Sequence, residues 1–115
     1  MTRDSIHIVE ISGDAGLLAA QEIAATLRQA IATQDQVEIA TDAITGADIT
    51  TIQLLLAARK LAQASGKSLR LAAPPQGVLR QLLTQTGVLD VDGRALTPDG
   101  DFWASMTSPA KGRAP

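Results

Sequence analysis

Asp48-Ile49-Thr50-Thr51-Ile52-Gln53 places a carboxylate, two hydroxyls and an amide at the head of a long apolar run. Residues of these types at this spacing suit two kinds of chemistry. A hydroxyl beside an aspartate can accept a phosphoryl group, and a hydroxyl or carboxylate before an apolar helical run can cap the helix by accepting its free N–H groups. The pattern Thr50-x-x-Gln53 predicts a capping box with Thr50 as the cap. Asp48 is expected to form a turn, its charge favoured by the helix N-terminus that follows. A second candidate is Ser12-Gly13-Asp14-Ala15-Gly16, a glycine-rich stretch ahead of a helix. Gly13 and Gly16 there would free backbone N–H groups to cradle an anion, although Asp14 would repel a phosphate. Asp90 and Asp92 fall in or near a turn and read as a solvated, hairpin-like bend.

Other chemistries lack their residues. With no cysteine and one histidine, the chain has no thiolate nucleophile, disulfide, cysteine-ligated metal or multi-histidine metal site. His7 lies in a strand pattern with no motif that would make it a base. There is no P-loop, dinucleotide-binding glycine motif or nucleophile elbow. No cofactor is implied.

The elements that must position these residues alternate. Ile6 to Ile11 is β-branched and largely alternating, a half-buried strand. Apolar residues at helical spacing from Leu17 to Thr33 predict a first helix. Val37 to Thr41 predicts a short strand, and Asp42 to Ala47 a loop. Thr50 to Ser65, apolar around much of its circumference, predicts the most buried helix, closed by Gly66. Ser68 to Ala72 alternates as a third strand. Pro74-Pro75 then stops the chain before a helix that ends at Gly87. Phe102, Trp103 and Met106 can form one helical turn against the domain. Strand and helix in alternation imply parallel pairing through right-handed crossovers.

At 115 residues and 12.0 kDa the chain suits one hydrophobic core, which must be aliphatic because Phe102 and Trp103 are its only aromatics. Few aromatics and a formal charge of −2 argue against nucleic-acid binding. No signal-peptide core or membrane span is legible, so a cytoplasmic location is expected.

Together these patterns resemble the STAS domain of bacterial anti-sigma factor antagonists over about Ile6 to Val91. The marks are Gly13 after the first strand, Asp48 before a helix containing Leu54-Leu55, and Gly66, Leu69 to Ala72, Pro74-Pro75 and Thr86-Gly87-Val88 in succession. The resemblance implies a small mixed, mainly parallel α/β sheet packed with three to four helices, in a domain set at residues 1–107; residues 108–115 have too few large apolar side chains to repay their ordering entropy and are expected to form a disordered tail. It implies a non-catalytic regulatory protein that binds a protein partner through Asp48, Ile49, Thr50, Thr51 and Gln53, without inserting into a membrane. Partners of the kinds met in such systems are an anti-sigma factor with serine-kinase activity, a histidine kinase of a chemotaxis-linked circuit, or a lipid-transport ATPase. A nucleotide-binding protein is the alternative from another class. The chain departs from the family at the switch: the residue directly after the aspartate, a phosphorylated Ser or Thr in the antagonists, is Ile49. Thr50 or Thr51 could serve as phosphoacceptor only with the hydroxyl re-aimed by about 100° per residue.

Overall fold

The computed structural model describes residues 6–96 and 102–103. Three strands, β1 (His7–Asp14), β2 (Gln36–Gly46) and β3 (Ser68–Leu71), form a parallel sheet in the order β1-β2-β3. Helix α1 (Ala20–Thr33), preceded by a single 3-10 turn at Leu17–Ala19, connects β1 to β2; α2 (Ile49–Ala64) connects β2 to β3; α3 (Gly77–Gln85) follows. Parallel neighbours require such crossovers, because a tight hairpin would reverse the chain. The expected α/β class and parallel pairing are those observed. Among the described residues the antiparallel element is one isolated bridge, Leu89 to Ala95.

One face of the sheet is buried. Val9, Ile11, Val37, Ile39, Leu69 and Leu71 lie there with Leu27, Ile31, Leu55, Leu79 and Leu83 from the helices. The alternate residues of the same strands, Ile8, Glu10 and Arg70 among them, are exposed. Phe102 and Trp103 are buried against this core, edge to face with centroids 4.9 Å apart, and the Arg59 guanidinium lies over the Phe102 ring. Met106 and residues 108–115 lie outside the described residues.

Two boundaries differ from those read in the sequence. β2 continues through Asp42 to Gly46, where a loop was expected, because it pairs with the equally extended end of β1: Ser12 faces Ala43, Gly13 faces Ile44 and Asp14 faces Gly46. Irregular register on either side of Ser12 and Gly13 disguises this stretch, since a slip of one residue breaks the alternation that marks a strand. The consequence is functional. Extending both strands brings Asp14 and Gly16 alongside Gly46 to Asp48, where α2 begins.

Candidate functional site

The N-terminal cap of α2 is Asp48, with extended backbone, and not Thr50. Its Oδ1 accepts the Thr50 N–H at 2.9 Å, and the Thr51 hydroxyl in turn accepts the Asp48 N–H at 3.1 Å, completing a reciprocal capping box. The expected Thr50-to-Gln53 box is therefore replaced by an Asp48-to-Thr51 box two residues earlier. A carboxylate is the stronger acceptor, and it sits where the free N–H groups and the positive end of the helix converge.

The second oxygen reaches much further along the chain. Asp48 Oδ2 accepts the Leu17 N–H at 3.1 Å, tying the entrance of α2 to the start of the first helical segment. Thr51 adds a parallel tie: its hydroxyl donates to the Ala15 carbonyl at 2.8 Å. Thr51 is 1% exposed. Its oxygen, in a residue expected as a partner contact and phosphoacceptor, is bonded inside the fold to two backbone groups.

The loop read as an anion cradle is also filled from within. Ala15 N–H donates to Gly46 O, Gly16 N–H to Asp14 Oδ1 at 2.9 Å, and Leu17 N–H to Asp48. Three successive donors are thus taken by the protein itself. Gly13 stands in β1 with φ of +74°, a backbone state suited to glycine, while Gly16 is needed for space: a Cβ there would lie 2.6 Å from Asp48 Oδ2.

These bonds set the electrostatics. The Leu17 N–H, followed by those of Thr50 and Thr51 and the Thr50 hydroxyl, holds the Asp48 carboxyl below the ordinary carboxylate range, against an opposing desolvation. Asp48 is ionised at neutral pH, and its charge is directed at backbone donors.

Large apolar side chains next to this polar staple in the chain are exposed. Ile49 is 52% exposed, Leu17 68% and Leu18 96%. Thr50 is half-buried and Gln53 is exposed on α2. The exposed leucines were not singled out from the sequence, where helical spacing assigns both to an ordinary helix start. A signal was present, in that Leu17-Leu18 directly follows the Gly16 loop and precedes the face that Ile23, Leu27 and Ile31 bury. His7 is exposed in β1, remote from the Asp48 site in the strand register. Asp90 closes the expected bend, accepting the Asp92 and Arg94 N–H groups at 2.8 and 2.9 Å. Among the described residues no three acidic or histidine side chains cluster to hold a metal, and no helix is long and apolar enough to cross a membrane.

The family model described as "Mlab, STAS domain" matches residues 2–97, and the chain belongs to the STAS family. Among solved structures it is similar to the anti-sigma factor antagonist SpoIIAA in its unphosphorylated form. That likeness has a TM-score of 0.56 and 17% identity, over 73% of this chain and 76% of the other. None of the curated protein sequences matches the chain.

Proposed function

We propose that this chain is a non-catalytic STAS regulatory protein that binds a protein partner at the entrance of α2, through apolar contact and without a phosphorylation switch at the usual position. The supporting observation is that Leu17, Leu18 and Ile49 are exposed, while the Leu17 N–H to Asp48 bond brings the segment bearing the leucines to the residue that precedes Ile49. Three large aliphatic side chains held exposed beside a fixed backbone bond form a preorganised contact patch, and apolar residues at the centre of an interface provide much of its affinity. Asp48 serves this patch from behind, holding its two halves together; Thr50 and Gln53 lie beside it on α2.

A phosphoryl group has no acceptor at Ile49. At Thr50 it would stand against the Asp48 carboxylate, since the Thr50 hydroxyl is hydrogen-bonded to it. Nucleotide binding at the Gly13 to Gly16 loop is disfavoured because the donors a phosphate would use are already bonded. The domain is assigned residues 1–107, the tail residues 108–115, and the location the cytoplasm.

The test is affinity capture from the native cytosol with wild type, Ile49→Lys and Asp48→Lys as baits, scored for an anti-sigma factor or serine kinase, a histidine kinase and a transport ATPase. Loss of the same partner with both variants, while both stay folded, supports the reading. Equal capture by all three baits places the interface elsewhere. Incubation with the captured kinase followed by mass spectrometry should leave the chain unphosphorylated, and stoichiometric phosphate on Thr50 would refute the absence of a switch.

A further inference from the structure

After α3 the chain turns back at the Asp90 bend, and between that bend, α3 and Pro74-Pro75 lies a cleft of about 260 Å³. It shares no residue with the entrance of α2. Leu89, the two prolines and Trp103 give it an apolar wall, stiffened by the proline rings, which fix their own φ. Its polar lining carries both signs of charge, Arg80 and Arg94 against Asp92.

These polar groups differ in how far their bonds are already made. Arg80, half-buried on α3, donates through Nη2 to the Val91 carbonyl at 3.1 Å. Gly93 makes room for it, with φ of +85° and no Cβ, which would lie 3.2 Å from the same nitrogen. The guanidinium is thus held in place with most of its N–H donors unused. Arg94 is engaged with Asp90, which accepts its N–H at 2.9 Å and faces its charge. Asp92 gives its own N–H to Asp90, while its exposed carboxylate has no partner among the described residues. No ion pair joins Arg80 to Asp92, although both line one small cleft. Trp103 is 1% exposed, and its Nε1 is, among the described residues, the one buried side-chain nitrogen or oxygen without a hydrogen-bond partner. A buried indole N–H normally finds an acceptor, because leaving it unpaired forfeits its hydration with no return.

We propose that this cleft binds a small zwitterion of the free amino-acid class, its carboxylate on Arg80 and its ammonium group on Asp92. The planar fork of Arg80 can meet a carboxylate with two parallel N–H bonds. A plain anion would leave Asp92 facing a like charge, and a plain cation would do the same to Arg80. A molecule carrying both signs answers the two at once. An acceptor drawn in beside Arg80 also supplies the partner that Trp103 Nε1 lacks, and the apolar wall takes an aliphatic side chain. At about 30 Å³ for each water-sized group, the volume suits an occupant of about nine heavy atoms. The proposal is independent of the partner surface at Ile49.

Trp103 is the only tryptophan of the chain, so its fluorescence and its single indole N–H resonance report on the cleft directly. The test is titration of the full chain with each of the common free amino acids to about 10 mM. The tightest binder is then compared with its deaminated and decarboxylated analogues. Saturable binding of at least one amino acid is expected, with a downfield shift of the indole N–H, and about tenfold weaker binding or more for either analogue. Arg80→Gln and Asp92→Asn should each weaken binding by about tenfold or more with unchanged circular dichroism. Asp92→Asn, an isosteric change at an exposed position, keeps the test decisive should Arg80→Gln fold poorly. No saturable change with any amino acid overturns the proposal. So does a deaminated analogue that binds as tightly as its parent, or binding that Asp92→Asn and a folded Arg80→Gln both leave unchanged.

Discussion

Asp48 and Asp90 perform the same act with different reach. Each carboxylate accepts backbone N–H groups and is held below the ordinary carboxylate range, Asp48 chiefly by Leu17 and Asp90 chiefly by Arg94. Asp90 bonds residues two to four positions after it and stabilises a bend. Asp48 bonds Thr50 and Thr51 just after it and also a residue 31 positions earlier in the chain, joining two connections that the sheet places side by side. The same side chain is a local turn-former in one place and a long-range staple in the other. What decides is whether a second segment delivers an N–H within reach.

The sharpest way to break the Asp48 staple is to remove the buried hydroxyl that supports it. Thr51→Val deletes the donor to Ala15 O and the acceptor for Asp48 N–H, and should destabilise the fold by about 2 kcal/mol in urea unfolding. Gly16→Ala pushes a methyl against Asp48 Oδ2 and should cost about 1 kcal/mol while releasing the Leu17 amide. Hydrogen exchange separates the two aspartates: Asp48→Ala should speed exchange at Leu17 and Thr50, whereas Asp90→Ala should speed Asp92 and Arg94 and leave Leu17 unchanged.

Acid affects both in the same direction. A carboxyl whose folded pKa lies below its unfolded value contributes stability that is present above the unfolded pKa and is lost as pH falls through the folded one. Stability should therefore decline below the ordinary carboxylate range, and Asp48→Ala and Asp90→Ala should each flatten that decline. Only the Asp48 variant should also lose partner capture. The smallest expected effect on folding is that of Ile49→Lys, within about 0.5 kcal/mol because the side chain is exposed, so any loss of partner binding would report the contact surface itself.

Much of the fold was legible because it is written in local periodicity. Alternation marked β1 and β3, apolar residues around the circumference marked α2, and the glycines after α2 and α3 marked their ends, where Gly66 and Gly87 adopt φ of +71° and +81°. The site was legible in part. Asp48 and the isoleucine directly after it could be read directly, and the capping box could be placed within two residues. Choosing between Thr50 and Thr51 could not, because both precede the same apolar run and only packing shows which one turns inward.

The sequence by itself determined the order of elements, the aliphatic core, and the absence of a hydroxyl directly after Asp48, since each follows from residue type and near-neighbour spacing. Tertiary structure decided that Thr51 is interior, that Asp48 reaches Leu17, and that Leu17, Leu18 and Ile49 are left exposed. These depend on the register in which β1 and β2 pair, and register is a relation between distant segments that no local pattern contains.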